Sequence, residues 1–453
     1  MTKPWTIWLI IASAVLGFAA VTQRMTAVMV PDSSSYLDYP FDSLDAMMRD
    51  IRTPGYPVLL RLIMGTIGAS AIPIVQMLIH ATAAWLMSCE LIRWGMSGRT
   101  SLAAGLAIAL SATAMDNEAI VSTDLVAASF GVMATSNLLA CIRAGFALRP
   151  SVGVIVCVVM AIAIRPASLS LVGFIPIAGV MLVLCKRQTN QEGSLRQSIF
   201  GLIRIVAPIM LVIAGWIVLR GVTVGDFSFL PFGHQNLAGI TTQLTTGDEQ
   251  RIAAPQSTTL LDEIAAARVR YADEGRQLPI GAPGATMTIE SRWDEIVWRI
   301  VVPAVRRMHP DDAIAQHREL ANLNRQILAA YPWRYVRWIV LAMRRACWGT
   351  AANIVMHPIF LTAIMVWIAY RCVQLVNNPR IPHETIIAMD HAGLDALFLI
   401  AVTYFFINVG FVVLTSPPLG RFADATAIFI PAWIAARALS VTPLRSRSDC
   451  HPR

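Results

Sequence analysis

The chain has 453 residues, 56% of them hydrophobic and 14% charged, with a mean hydropathy of +0.59 and a formal net charge of +8. Ordinary soluble domains are roughly a quarter charged, so this composition excludes a soluble globular protein and indicates a polytopic membrane protein. The basic balance is that of Lys- and Arg-rich cytoplasmic loops; no continuous basic domain or nucleic-acid-binding motif accompanies it, which argues against nucleic acid as a partner.

In chain order, apolar runs predict about ten membrane-spanning helices, near 5–23, 71–92, 101–115, 119–141, 150–164, 168–185, 198–219, 351–372, 394–414 and 424–438. The first is long enough to cross a bilayer, lacks a cleavage-site pattern and reads as a retained span. The pair 150–164 and 168–185 is split by "RPAS". Placing the N-terminus in the cytoplasm puts Arg93, Arg99, Arg143, Arg149, Lys186, Arg187, Arg196, Arg371, Arg380, Arg445 and Arg447 on that side. The loops 24–70, 116–118, 165–167, 220–350 and 415–423 then lie outside, with Arg24, Arg49, Arg52 and Arg61 as exceptions to the bias. The chain therefore divides into an N-terminal transmembrane core, 1–219, a large outer region of mixed structure, 220–350, and C-terminal transmembrane helices with a cytoplasmic tail, 351–453. The seven cysteines form no CxxC or Cys/His zinc spacing and read as structural thiols.

Two outer segments stand out. In 24–70 short amphipathic helices are expected at 42–50 and 55–67. In 331–348, "YPWRYVRWIVLAMRRACW", Arg334, Arg337, Arg344 and Arg345 interleave with Trp333, Trp338 and Trp348. That pattern suits a helix at the membrane–water interface, whose arginines are also candidates for a lipid phosphate.

The topology sends many polar residues to one outer face: Asp32 and Tyr36 after the first span, Arg52 in "RTPGYPVLLRL", Asp116 and Glu118 between the third and fourth spans, Asp124, Arg165, and Arg421 before the last. Each has an ordinary explanation as a solvated loop residue, a helix cap or a snorkelling arginine. Taken together they suit one chemistry. A carboxylate takes the proton of an attacking hydroxyl, and arginines hold a phosphate and the charge it gains on leaving.

The order of motifs resembles the GT-C superfamily of integral-membrane glycosyltransferases, including bacterial enzymes akin to dolichyl-phosphate-mannose protein mannosyltransferases. The motifs are "PDSSSYLDYP", "RTPGYPVLLRLI", "MDNEAIVSTDLVAASF", "AIAIRPASLSLVGFIP" and "PPLGRFADATAIFIPAW". They cover roughly 1–185 and 400–440. The resemblance implies an all-α, GT-C-like membrane fold in the bacterial inner membrane and a sugar donor on a polyprenyl phosphate. It implies a glycan, lipid or protein acceptor of the envelope, and a periplasmic active site with an acidic base in the first outer loop. Asp32 matches that base. Tyr36, Arg52 and Arg165 match motif residues around the cavity, and Arg421 matches an arginine near the donor phosphate. Asp124, Arg344 and Arg345 are further donor-site candidates, and His234 in "PFGHQNLAGI" is a candidate for the acceptor or for proton transfer. The chain departs from the family's paired acids, since Asp32 is followed by Ser33. Asp116 and Glu118 are candidate ligands of magnesium or manganese, and equally candidate helix caps. Two other functions compete: an O-antigen ligase or polymerase using a diphosphate-linked oligosaccharide, and a transporter or flippase.

Overall fold

The first helix shows how the sequence sorts itself between protein and lipid. α1 (Pro4–Val21) starts at a proline in its first turn and buries Ile7, Ile11, Val15 and Ala19, one residue per turn, while Trp5, Leu9 and Ile10 on other faces remain 40–57% exposed. Apolar exposure on that scale would be an aggregation liability in water; against acyl chains it costs nothing. The structure, a computed structural model, describes residues 3–188, 195–280, 284–377, 391–418 and 425–440.

The elements follow in order: α2 (Ser33–Leu37), α3 (Leu44–Arg49), α4 (Gly55–Thr66), α5 (Ile72–Arg93), α6 (Gly98–Ala109), α7 (Ala112–Asn117), α8 (Asp124–Arg143), α9 (Leu148–Ile164), α10 (Ser170–Gln188) and α11 (Leu195–Val224). After these come α12 (His234–Thr241), α13 (Gly247–Ala253), α14 (Thr258–Asp273), α15 (Thr286–Glu295), α16 (Val302–Met308), α17 (Ala313–Ala330), α18 (Pro332–Met356), α19 (Pro358–Asn377), α20 (His391–Val413) and α21 (Ile430–Ser440). Among the described residues there is no strand, only one isolated parallel bridge between Val28 and Ile120. The region 220–350 is therefore helical rather than mixed, and α11 carries the preceding apolar run on to Val224.

The chain is an all-α, multi-pass membrane protein. Among the described residues six helices are long and apolar enough to cross a bilayer, and the bent pair formed by α18 and Phe360–Ala369, taken as one span, would make a seventh. The other apolar runs are helical but short. α6 has 12 residues and spans about 18 Å at 1.5 Å per residue, because the chain turns at Leu110–Ser111 before α7. α9 and the segment 425–440 are also shorter than a full span.

α8 is the bundle's centre, packed by α5 on one side and α9 on another. Its polar groups are tied off internally: His80 of α5 meets Ser129 Oγ at 2.9 Å and the Ile108 carbonyl at 3.0 Å. At one end buried Glu90 is held by Arg93 and Arg143. At the other end the Val28–Ile120 bridge lays the segment after α1 against the α7–α8 connection. There Ser33 Oγ donates to the Val121 carbonyl at 2.8 Å. Helices α12–α17 and the π-helical turn Ile296–Val301 form a separate core around Leu260, Ile300, Leu320 and Leu323. The buried Arg220 at the end of α11 joins that layer to α3, donating to the Met48 carbonyl at 3.0 Å and to Asp226 at 2.9 Å.

The start of α4 rests directly on α9. A Cβ at Gly55 would lie 2.5 Å from the Ala163 carbonyl oxygen, whereas a Cβ at Gly65, in the last turn of the same helix, meets nothing within 4 Å. Gly55→Ala is expected to lose about 1–3 kcal/mol by overpacking against backbone. Gly65→Ala is expected to be neutral or to gain up to about 1 kcal/mol from lost chain entropy. Thermal unfolding of the two variants in one detergent checks the contrast.

Candidate functional site

Arg52 organises the end of the bundle where α2 and α4 meet. It follows Asp50, whose carboxylate accepts the Arg52 backbone N–H at 2.7 Å, and it precedes the Thr53-Pro54 turn into α4. Its guanidinium donates from Nε to Ser35 Oγ at 2.9 Å, from Nη1 to the Tyr36 hydroxyl at 3.1 Å and from Nη2 to Asp32 at 2.9 Å. It also lies 4.6 Å from the Tyr36 ring centroid and 6.0 Å from that of Phe232. Arginine has five N–H donors in a planar fork, so three bonds leave two N–H groups for a ligand. Asp32 sits at the start of α2 with its side chain 34% exposed: paired, yet reachable. Tyr36 is buried and packs edge-on against Tyr56.

An open groove of about 570 Å³ begins at Tyr36 and runs past Asp38, Phe41 and Asp42 to Arg61 and Met64 of α4. It is large enough for a sugar, and its link to the Asp32–Arg52 pair is Tyr36, which lines it and whose hydroxyl accepts from Arg52. A second cavity, about 20 Å³, sits at the α18–α19 bend between Ser111, Thr350 and His357 and has room only for a water-sized group.

Behind Phe232 lies a cluster that sequence reasoning missed apart from His234. His234 opens α12 and stacks on His317 of α17 with ring centroids 4.7 Å apart. Burial pushes His234 below its ordinary range, helped by Arg325; burial and His234 together push His317 down to about 4. Both are thus neutral near pH 7. Asp226 resists its own burial because Ser228 and Arg220 hold the carboxyl below its usual range. The available signal was Arg220 itself, a charge at the end of an apolar run, which must find a partner.

The structure brings Asp32, Tyr36 and Arg52 together and places Phe232, two residues before His234, beside them. Asp124 and Arg165 form their own ion pair, largely buried, where α8 begins and α9 ends. That pair connects to the first cluster through the Gly55–Ala163 contact and the Ser33–Val121 hydrogen bond. Arg344 and Arg345 do not join it: Arg345 pairs with Glu290 at 3.2 Å, and Arg344 is exposed on α18. Arg421 lies outside the described residues.

Asp116 and Glu118 part company. Asp116 is exposed, whereas Glu118 is buried with Arg24 at 3.8 Å. Among the described residues no three His, Cys, Asp or Glu side chains are grouped to hold a metal. The buried Glu118 fits a structural role, and Arg24, which also donates to the Met115 carbonyl, fixes the same loop.

Compared with known proteins, the chain matches no family model, no curated protein and no solved structure.

Burial, opposed by Arg24 and reinforced by Asp116, pushes the Glu118 carboxyl up to about 7. Its folded pKa thus exceeds the unfolded one. The folded state binds the extra proton between the two values, so this group's contribution to stability is full below about pH 4.5 and is lost as pH rises to about 7. Glu118→Gln removes that loss. The variant is expected to unfold at a higher temperature than wild type at pH 8, by at most about 3 kcal/mol, with the difference shrinking or reversing at pH 5. Melting curves of both proteins at the two pH values check it.

Proposed function

We propose that the protein is a membrane glycosyltransferase that moves a sugar from a polyprenyl-phosphate donor to an acceptor hydroxyl of the cell envelope, on the periplasmic face, with Asp32 as general base. The observation that carries this reading is a reachable carboxylate held by an arginine with spare N–H groups, at the end of a membrane-spanning bundle, with Tyr36 of the same cluster lining a sugar-sized groove.

In this reading the acceptor hydroxyl approaches between Asp32 and the groove. Its oxygen attacks the anomeric carbon from the face opposite the phosphate. The C–O bond to phosphate breaks, the polyprenyl phosphate leaves with the electron pair, and the hydroxyl proton passes to Asp32. The sugar inverts. Arg52 serves twice: it keeps the carboxylate oriented, and its two remaining N–H groups face the developing negative charge on the leaving phosphate. Tyr36 and Ser35 fix the guanidinium plane, so little reorganisation is needed during the reaction. The Asp124–Arg165 pair is internally neutralised and is assigned to support of the α8–α9 end rather than to donor binding. The pair His234 and His317, both neutral, contributes acceptors behind Phe232. The resemblance to GT-C enzymes set out above, with Asp32 at the position of their acidic base, points to the same chemistry.

The test compares purified wild type and Asp32→Asn with radiolabelled polyprenyl-phosphate sugars and an envelope extract. Loss of a general base is expected to lower turnover by about 10²–10⁴-fold while donor binding persists. Arg52→Lys keeps the charge but breaks the three-way fork, and is expected to raise the donor KM as well as lower kcat. Transfer by Asp32→Asn at the wild-type rate removes Asp32 from the chemistry. Failure of wild type to transfer from any such donor, with labelled lipid-linked sugar crossing vesicle bilayers instead, would replace the transferase reading with transport.

A further inference from the structure

α18 has two unlike faces. On one, Trp338, Ala342 and Ala346 are buried against the end of α20, where Trp338 Nε1 donates to the Val413 carbonyl at 3.1 Å. The other face carries Trp333, Arg337, Val340, Arg344 and Trp348, spaced by three or four residues and therefore aligned in one stripe. Trp333 is 81% exposed, Val340 61% and Trp348 71%. The two stripe arginines differ from their neighbours. Arg334 pairs with Glu249 and Arg345 with Glu290, both turned toward the outer helical layer. Among the described residues, no carboxylate forms an ion pair with Arg337 or Arg344.

The helix is also inclined. α18 meets the Phe360–Ala369 stretch of α19 at 65°. Segments 65° apart cannot both run along the membrane normal, so an α18 that leans toward the membrane plane presents its exposed stripe to the headgroup region. Tryptophans prefer that layer, while arginines without a protein anion find phosphates there. A stripe exposed to plain water would leave two large indoles solvated, at a cost in apolar surface.

We propose that the Trp333–Trp348 stripe of α18 is a binding surface for anionic phospholipid, with Arg337 and Arg344 taking headgroup phosphates and the two tryptophans seated at the interface. The arginines are seven residues apart, about 10.5 Å along the axis, so each takes its own headgroup. The stripe faces away from the packed side of α18 and makes no use of the Asp32–Arg52 pair, so the inference stands apart from the transfer reaction.

The test is native mass spectrometry of the full-length chain in neutral detergent, supplied with equal phosphatidylglycerol and phosphatidylcholine. Wild type is expected to retain phosphatidylglycerol preferentially. Arg337→Gln/Arg344→Gln should lower that retention by about fivefold per arginine, roughly 25-fold in all, and leave phosphatidylcholine unchanged. Arg337→Lys/Arg344→Lys should keep most of the preference, and Arg345→Gln should keep all of it. Equal retention of the two lipids by wild type overturns the proposal without any variant. So does undiminished phosphatidylglycerol retention by a folded Arg337→Gln/Arg344→Gln protein, with folding read from its melting temperature. A third arm adds polyprenyl monophosphate: if it displaces phosphatidylglycerol at equal concentration, and does so only while Arg337 and Arg344 are present, the stripe is a donor site and the proposal fails.

Discussion

The guanidinium of Arg52 is the interaction on which the α2–α4 end of this protein depends. It reaches back across 16 to 20 residues to Ser35, Tyr36 and Asp32 and ties the short helix α2 to the start of α4. Without it, α2 would keep the Ser33 hydrogen bond and the packing of Tyr36 on Tyr56, but lose the bonds that orient Asp32. With it, Asp32 has a fixed direction, and the groove from Tyr36 to Met64 has a fixed mouth. α4 in turn is pinned to α9 at Gly55, where no side chain fits. The precision of one loop carboxylate is thus inherited from the bundle beneath it.

The same logic extends outward. Arg220 is fully buried at the end of a helix whose apolar flanks face lipid. A charge there is tolerable only when paired and hydrogen-bonded, and its partners are the Met48 carbonyl, Asp226 and Ser228. Those bonds fasten the α12–α17 layer to α3, and Phe232 lies 6.0 Å from the Arg52 guanidinium. Two arginines, each held by a carboxylate and by backbone or hydroxyl oxygens, therefore set the relation between the membrane bundle, the groove and the outer layer. Arg345 and Arg334 do similar work for α18 and leave Arg337 and Arg344 turned outward.

Much of the fold was legible in the sequence because its signals are local. Long apolar runs located α1, α5, α8, α10, α11 and α20. The short helices expected at 42–50 and 55–67 occur as Leu44–Arg49 and Gly55–Thr66. The first begins at Ser43, whose hydroxyl caps Ala46, and the second follows the Thr53-Pro54 turn. Of the roughly ten spans expected, six or seven have the length among the described residues, and hydrophobicity does not reveal that the chain breaks at Ser111. Nor does it show that 332–356 is one helix continuing the interfacial pattern. The site was half legible. Asp32, Tyr36 and Arg52 were chosen because they are polar residues on one side of a topology. That Arg52 binds both others depends on a fold in which α4 returns beside α2, which no local pattern encodes. Arg344 and Arg345 looked equivalent in sequence; one residue of helical rotation sends them to different faces. His317 and Asp226 carried no local signal, and their meeting with His234 and Arg220 is purely tertiary.

The central claim is that the Asp32–Arg52 pair faces the donor phosphate. The most direct measurement is an electron cryomicroscopy map of the full-length protein with a non-transferable polyprenyl phosphonate analogue of the donor. The expected map places the phosphonate against the free N–H groups of Arg52, with the sugar mimic entering the groove beside Tyr36 and Asp32. A phosphonate bound elsewhere, with Arg52 still engaged only by Asp32, Tyr36 and Ser35, would contradict it.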